Sequence, residues 1–342
     1  MKRKVSIILS KKENNQVVTN MYLNTILKMM VRNGFNHVQD NRLDLIDKKS
    51  DFLIFDTCKE AFKFWLKGYK NIIIWIQGVV PEERIMMQQP KYKYYIHSFI
   101  EKIILKKATF LFMVSSQMLN HYEKKYGLTL KQKSYIMPCY NENEVDINSF
   151  ENNKKYKNNT FLYVGSLQEW QCFEETVEVY KKIESKICDA KLIVYTDDKE
   201  KAKAIIEKSK IKNYYINYAS AKKLGELIKD FKFGFVLRKD NIVNEVATPT
   251  KISNYLSHGI IPIYSPCLKS FDDYNKKLKV GIPLNLDDVD SGINKIIEFS
   301  KKDIDIQEMK ELCIQAFNEY YNQNKYIIEC ANKMKKQSIY GE

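Results

Sequence analysis

The sequence lacks the long hydrophobic runs that mark membrane-spanning and secreted proteins. No stretch approaches the ~18 uninterrupted apolar residues that a transmembrane helix needs. The run near the start, from Val5 to Leu9, spans only five residues and leads directly into charged residues, so it predicts a first strand and not a signal peptide. We therefore expect a cytoplasmic protein.

Signals for metal binding and for disulfides are also missing. Seven cysteines are scattered along the chain without a C-x-x-C pair, and no histidine lies at metal-ligand spacing from them. An odd, dispersed set of cysteines indicates reduced thiols, several of them buried. We expect no metal site and no cofactor.

Acidic residues are outnumbered by basic ones, which gives a net charge of +14. Such an excess favours an anionic partner, either a phosphorylated small molecule or an anionic membrane. No helix-turn-helix, zinc-finger or RRM signature accompanies the charge, so we expect no nucleic-acid partner. The alternative is compositional bias, because lysine, asparagine, isoleucine and tyrosine are abundant together.

What the sequence does contain is an alternation of short apolar runs and longer helical patterns, typical of parallel sheets covered by helices. A length of 342 residues allows two domains. A polar stretch at 141–159 separates two series of strands, which predicts domains at 1–145 and 146–320. The strands are predicted at Val5–Leu9, Asp51–Phe55, Asn71–Ile76, Thr109–Val114 and Ser134–Met137, and then at Thr160–Val164, Lys191–Tyr195, Tyr214–Asn217, Phe233–Leu237 and Ile260–Ile263.

The most informative stretch follows the strand that ends at Leu237. Thr248 is placed to cap a helix whose first position is Pro249, so that free backbone N–H groups form an anion site. Lys251 lies in the first helical turn, where a cation opposes the helix dipole unless an anion lies between them. Arg238 follows the strand directly and offers a second contact to phosphate. The alternative is a capped surface helix with incidental cations.

These residues belong to a longer pattern. The stretch 237–259 resembles the nucleotide-sugar segment of group 1 (family 4-like) retaining glycosyltransferases, in a bacterial polysaccharide-biosynthesis subgroup with the pattern "LR-x-x-x-x-VN-x-VA-S/T-PTK-x-x-EYL-x-x-G". Four further segments match in the same order along residues 5 to 265: Gln77-Gly78-Val79-Val80-Pro81-Glu82-Glu83, the segment from Val114 to Gly127, Met137-Pro138-Cys139, and the segment from Tyr163 to Gln171.

The resemblance implies the GT-B fold, with two Rossmann-like domains whose parallel sheets face across a cleft and C-terminal helices, including 321–342, that return to the first domain. It implies transfer of a sugar from a nucleoside-diphosphate sugar to a glycan, lipid-linked or protein acceptor, with retention of anomeric configuration and without a metal. Arg238 and Lys251 would be catalytic, and Gln77, Gly78 and Ser115 would lie on the acceptor side. Donor-binding roles fall on Gly165, Ser166, Trp170, Gln171, Glu245, Thr248, Pro249, Thr250 and Asn254.

The chain departs from the family pattern at two places. Two glutamates usually stand eight positions apart, but here Val246 and Asn254 occupy those positions and Glu245 lies one residue out of register. The arginine and lysine that often follow the first strand of the second domain are replaced by Ser166 and Gln171. These departures support a different hypothesis, a non-catalytic GT-B subunit that binds a nucleotide sugar or scaffolds a partner enzyme. No lysine segment resembles a pyridoxal-phosphate site, which argues against a phosphorylase.

A basic and aromatic segment, 91–107, permits two interpretations. As an amphipathic helix it would contact an anionic membrane, at the inner face, and present a lipid-linked acceptor. As an ordinary crossover helix it would pack Ile96, Ile100, Ile103 and Ile104 on the sheet and expose its lysines to water.

Overall fold

The computed structural model describes residues 2–10, 17–39, 42–152 and 154–336. The chain forms two compact units, of which the first comprises residues 1–139 with 322–342 and the second residues 140–321. The polar stretch 141–159 thus belongs wholly to the second unit.

Within these described ranges, twelve strands are divided equally between two sheets. In chain order they are β1 (Lys4–Ile8), β2 (Asn36–His37), β3 (Phe52–Phe55), β4 (Asn71–Ile76), β5 (Phe110–Met113), β6 (Ser134–Ile136), β7 (Thr160–Val164), β8 (Lys191–Tyr195), β9 (Tyr214–Asn217), β10 (Phe233–Val236), β11 (Ile261–Tyr264) and β12 (Ile282–Pro283).

Fourteen α-helices connect and cover these strands in the described part of the chain. They are α1 (Val17–Arg32), α2 (Cys58–Leu66), α3 (Val80–Met86), α4 (Lys91–Lys107), α5 (Ser116–Tyr126), α6 (Phe173–Glu184), α7 (Lys199–Lys208), α8 (Ala221–Ile228), α9 (Ile242–Glu245), α10 (Thr250–Ser257), α11 (Lys269–Leu278), α12 (Val289–Lys301), α13 (Ile306–Glu319) and α14 (Gln323–Lys336).

The first unit is built on a parallel sheet with the order β2-β1-β3-β4-β5-β6. Its central strands are apolar throughout because helices cover both faces, and every side chain of β3 and β5 is at most 1% exposed. Tyr22 of α1 stacks on Trp75 of β4 with ring centroids 4.3 Å apart. The sheet reverses its direction of growth between β1 and β3.

The second unit has the order β12-β11-β10-β7-β8-β9, again parallel throughout. Counted from β7, this is the 3-2-1-4-5-6 arrangement of the Rossmann fold. Growth reverses between β7 and β10, which are direct neighbours in the sheet. A ligand crevice is expected outside the carboxyl ends of the strands at such a reversal.

The two C-terminal helices belong to different units. Helix α14 packs on α1, where Gln323 donates to the Thr25 hydroxyl over 2.6 Å and Tyr135 of β6 donates to Glu329 over 2.9 Å. Helix α13 packs on α10 within the second unit. The expected return to the first unit therefore applies to α14 and not to α13.

The segment after Tyr140 closes the carboxyl end of α10. The Lys155 side chain is 1% exposed and donates to the carbonyl of His258, between the rings of Phe150 and Tyr156. The Tyr156 hydroxyl donates to the Gly259 carbonyl over 2.7 Å. Gly259 has φ of +64°, and a Cβ there would lie 2.6 Å from the Phe150 ring. Burial lowers the pKa of Lys155 to about 8.

This buried lysine predicts a particular dependence of stability on pH. Below pH 8 the side chain is charged in both states, and the folded state bears the full desolvation cost. Between pH 8 and the unfolded pKa of about 10.5 that cost is relieved, so stability rises. Relative to Lys155→Met, the wild-type free energy of unfolding is expected to gain ~2 kcal/mol from pH 8 to pH 10. Urea unfolding at several pH values measures it.

Lys154→Met is the matched control, because Lys154 is the exposed neighbour in sequence. Its difference from wild type should stay constant with pH. Parallel pH curves for wild type and Lys155→Met would show that Lys155 is not desolvated as described.

Candidate functional site

The sequence-predicted cations of the second unit lie at the reversal of its sheet. Arg238 follows β10 after one further residue, and Gly165 directly follows the neighbouring strand β7. Lys251 lies in the first turn of α10, the helix that runs from this region towards β11. Three segments distant in sequence are therefore brought to one point by the order of the strands.

Arg238 and Lys251 meet at a single acceptor, the side-chain amide oxygen of Gln171. The Arg238 guanidinium donates to Gln171 Oε1 over 2.9 Å, and Lys251 Nζ donates to the same atom over 2.5 Å. Arg238 also donates to the carbonyl of Leu237, and its backbone N–H is held by the Ser265 hydroxyl at 2.9 Å. The nitrogen atoms of both cations are thus fixed at one location.

No acid compensates these charges in the part of the chain that the structure describes. Arg238 is 6% exposed, and neither it nor Lys251 forms an ion pair there. Burial lowers the pKa of Arg238, while burial and the charge of Arg238 hold the pKa of Lys251 well below its usual value. Two like charges in a low dielectric repel strongly, so the arrangement is suited to an incoming anion.

Gly165 makes room for the lysine. Its φ of +138° is accessible to glycine and rarely to other residues, and a Cβ at this position would lie 2.7 Å from Lys251 Nζ. The Lys251 ammonium also lies 4.9 Å from the centre of the Tyr163 ring. A side chain at position 165 would therefore displace the cation from the site.

The start of α10 differs from the prediction. The sequence suggested Thr248 as the cap and Pro249 as the first helical residue, but Pro249 is the N-cap, with an extended ψ of 125°, and the helix starts at Thr250. Its N-cap makes no side-chain hydrogen bond. The helix begins one residue later because Pro249 keeps its proline φ while its ψ remains extended.

The other predicted donor-binding residues lie on several elements of the second unit. The Ser166 carbonyl accepts from the Tyr163 hydroxyl over 2.8 Å, and Trp170 lies half-buried in a 3-10 turn with Gln171. Glu245 ends α9. The side-chain oxygen of Asn254, on α10, is buried without a hydrogen-bond partner. An unsatisfied buried amide oxygen is costly and is explained if a ligand hydroxyl fills it.

The predicted acceptor-side residues follow two neighbouring strands, β4 and β5, and differ in their surroundings. Gln77 and Gly78 line a cavity of about 630 Å³ in the first unit. Ser115 is fully buried, where its hydroxyl caps α5 by accepting from the Met118 N–H over 3.1 Å. Its place in the sequence gave no sign of this, since a serine before a helix can cap it or face a ligand.

The sequence placed Gln171 among the donor-binding residues and as a replacement for a cation, but it did not show that the Gln171 amide oxygen accepts from both Arg238 and Lys251. It also missed Ser265, whose hydroxyl fixes the Arg238 backbone. A polar residue after β11, next to the strand that carries Arg238, was the available signal for Ser265.

Neither a metal-binding cluster nor a membrane-spanning helix is found among the described residues. No group of three or more His, Cys, Asp or Glu side chains within them is arranged to hold a metal ion. None of the helices among them is long and apolar enough to cross a membrane.

No protein-family profile matches the chain. A search of curated proteins also finds no match.

Solved structures do match. TarM from S. aureus, in complex with fondaparinux, α-GlcNAc-glycerol and UDP, is 11% identical with a TM-score of 0.63 over 92% of this chain, which spans 58% of the TarM length. WaaG, a glycosyltransferase involved in lipopolysaccharide biosynthesis, is 12% identical with a TM-score of 0.57, covering 98% and 99% of the two chains. The trehalose-6-phosphate synthase OtsA is 11% identical with a TM-score of 0.63, covering 98% and 99%.

At these identities the likeness establishes the fold alone. Two Rossmann-like units, each with a six-stranded parallel sheet, define the GT-B fold, as the family resemblance predicted.

The cation pair predicts a gain in stability when one charge is removed. Lys251→Met eliminates a half-buried ammonium and its repulsion with Arg238, so it is expected to raise the free energy of unfolding by ~1–2 kcal/mol in the absence of ligand. Urea unfolding in low-salt buffer measures the change.

Lys239→Met is the control, because Lys239 is 53% exposed and paired with Glu175 at 2.6 Å. Its effect should stay within about 0.5 kcal/mol. If Lys251→Met instead lowers the free energy of unfolding, the lysine stabilises the fold and the prediction is wrong.

Proposed function

We propose that the protein is a glycosyltransferase that takes a sugar from a nucleoside-diphosphate sugar and transfers it to a glycan, lipid-linked or protein acceptor. The observation that carries the proposal is the pair Arg238 and Lys251 at the reversal of a Rossmann sheet, with no ion-pair partner among the described residues. Nucleotides bind at such reversals, and a diphosphate supplies the negative charge that this site lacks. The complex of TarM with UDP supports the same assignment by analogy of fold.

The two cations also suit the chemistry of transfer. As the bond between the anomeric carbon and the diphosphate oxygen breaks, negative charge grows on the leaving group, next to Arg238 and Lys251. The acceptor hydroxyl oxygen forms the new bond to that carbon, and its proton passes to the departing phosphate oxygen. Attack on the face that the leaving group vacates gives retention, which is the outcome that the family resemblance implies.

In this proposal the positive side chains take the role that a divalent metal has in other glycosyltransferases. Gln171 occupies the position of the anion in the unliganded site and must release both cations when the diphosphate enters. The unpartnered oxygen of Asn254 would accept from a ribose hydroxyl, in the place where the family pattern has a glutamate.

A second candidate is a GT-B subunit that binds a nucleotide sugar without turnover. Asn254 favours it, because a neutral amide replaces the usual carboxylate at that position.

Donor binding is tested with a panel of UDP-, GDP- and other nucleoside-diphosphate sugars, scored by thermal shift and by nucleotide release in the presence of EDTA. A ligand at ~100 times its dissociation constant adds ~2.7 kcal/mol to the wild type. Arg238→Ala and Lys251→Ala should each weaken binding at least tenfold. Gln171→Glu should weaken it as well, because a carboxylate between the cations competes with the diphosphate.

Lys239→Ala, an exposed neighbour, should leave both readouts unchanged. Binding without nucleotide release supports the non-catalytic subunit. Wild-type affinity and transfer rate in both cation variants would refute the assignment of the site, and loss of release in EDTA would refute its independence from metal.

We further propose that α4 contacts an anionic membrane, at the inner face of the cytoplasmic membrane. Four of its side chains form an exposed apolar stripe at helical spacing: Tyr92 at 60%, Tyr95 at 67%, Ile96 at 52% and Phe99 at 63% exposure. Lysines flank them on the same helix, and aromatic residues beside lysines favour the headgroup region of anionic bilayers. Of the isoleucines expected on the sheet, Ile104 is buried and Ile96 is not.

Sedimentation with vesicles tests this contact. The wild type should bind vesicles of phosphatidylcholine with phosphatidylglycerol and bind neutral phosphatidylcholine vesicles poorly, and Tyr95→Ser with Phe99→Ser should reduce binding about tenfold. Tyr218→Ser is the control, since Tyr218 is 57% exposed in the second unit. Equal binding by the double variant and the wild type would contradict the proposal.

A further inference from the structure

The cavity of the first unit lies at the reversal of its own sheet. Ser10 after β1 and Asp56 after β3 line it, together with residues from the end of β4 and from helices α2, α3 and α4. Its volume of about 630 Å³ is that of a small-molecule site. All the residues that line it belong to the first unit, whereas the cation pair belongs to the second.

Some of the charged groups at this cavity are already satisfied by the fold. Glu101 is 3% exposed and accepts from Lys125 over 3.2 Å, from the Tyr122 hydroxyl over 3.1 Å and from the Tyr126 hydroxyl over 2.6 Å. Asp56 accepts from the Ser10 hydroxyl over 2.6 Å. These acids are part of the scaffold and are not free to bind a ligand.

Arg84 is different. One terminal nitrogen of its guanidinium donates to Gln89 over 2.6 Å, while its Nε is buried without a partner. It forms no ion pair with any residue that the structure describes. Its charge is also felt at His97, whose pKa is lowered first by burial and then by the charges of Arg84, Lys59 and Lys93. Arg84 therefore places a positive charge at the cavity that no direct ion pair with a described residue neutralises.

Glu83, the neighbour of Arg84 on α3, faces the same cavity. Its carboxylate lies against Gly78, where a Cβ would overlap it, and it accepts a backbone hydrogen bond from Val79 but forms no ion pair among the described residues. Burial, and then the charges of Glu101 and Glu82, raise its pKa. A carboxyl group in this setting is suited to hydroxyl groups and not to a second anion.

We propose that the cavity of the first unit binds an anionic saccharide, with the acidic group of the ligand on Arg84 and its hydroxyl groups on Glu83 and Gln77. The Arg84 guanidinium, whose Nε has no hydrogen-bond partner among the described residues, matches a phosphate or a carboxylate, because both accept two parallel hydrogen bonds. The Glu83 carboxyl and the Gln77 amide, which donates to the Thr19 hydroxyl over 3.4 Å, match the hydroxyl groups of a sugar ring. That this ligand is the acceptor of glycosyl transfer rests on the proposed function, whereas the binding itself does not.

Binding is tested on the full chain carrying Lys251→Met. This substitution removes one of the two cations of the proposed diphosphate site in the second unit. The probes are inorganic phosphate, glucose, glucose 6-phosphate and glucuronate at constant ionic strength, followed by thermal shift and calorimetry. Glucose 6-phosphate or glucuronate should bind at least tenfold more tightly than glucose and than phosphate alone. A preference between these two identifies the anionic group as phosphate or carboxylate.

Variants assign the two contacts. Arg84→Gln should weaken binding of the preferred saccharide at least tenfold, and Arg84→Lys should restore part of it, which also guards against a folding defect. Glu83→Ala should weaken the saccharide but leave inorganic phosphate unchanged. Arg32→Gln, at an exposed arginine of α1, is the control and should have no effect.

The proposal would be overturned if neither glucose 6-phosphate nor glucuronate binds, or if Arg84→Gln binds the preferred saccharide as tightly as its parent does. The outcome is independent of the donor site, because wild-type protein can still bind and release a nucleotide if this cavity takes no saccharide. Conversely, saccharide binding in a protein without donor turnover would sustain the cavity while refuting the glycosyltransferase.

Discussion

Arg238 and Lys251 are held together in the second unit, where no acid among the described residues balances their charges, and neighbouring side chains keep the pair in place. Gly165 leaves space for Lys251, the Ser265 hydroxyl fixes the backbone of Arg238, and the Gln171 amide oxygen accepts from both cations. A neutral amide offsets little of their repulsion in a low dielectric. The repulsion between the two cations therefore lowers the stability of the folded protein, and a bound anion would relieve it.

Both units place their polar groups at the same topological feature. Where a parallel sheet reverses its direction of growth, the loops from adjacent strands diverge to opposite faces and leave a crevice. In the second unit this crevice holds Gly165 and Arg238, and in the first it holds Ser10 and Asp56. The charges differ, since cations predominate in one, while Arg84 and Glu83 put opposite charges in the other. The cations of the second unit suit a diphosphate. The opposite charges of the first unit suit a ligand with both an acidic group and hydroxyl groups.

Several strands could be predicted to the residue because each is a short run of β-branched, aliphatic or aromatic residues, and three of the four are largely buried. The bounds Asn71–Ile76, Thr160–Val164, Lys191–Tyr195 and Tyr214–Asn217 agree with the structure. The strands Asn36–His37 and Ile282–Pro283 were missed, because two residues at a sheet edge leave no pattern. The start of α10 was placed one residue too early, since propensity favours a proline inside the first turn while here its ψ stays extended.

The sequence by itself determined the α/β class, the two series of strands and the presence of Arg238 and Lys251 near one strand end, because these depend on local patterns of apolar and polar residues. The tertiary structure alone decided that Gln171 joins the two cations, across separations of 67 and 80 residues. It also decided that Ser115 is buried as a cap and that Tyr95 and Phe99 face outwards. Side-chain direction and partnership depend on which distant elements pack together, and a local pattern carries no information about that packing.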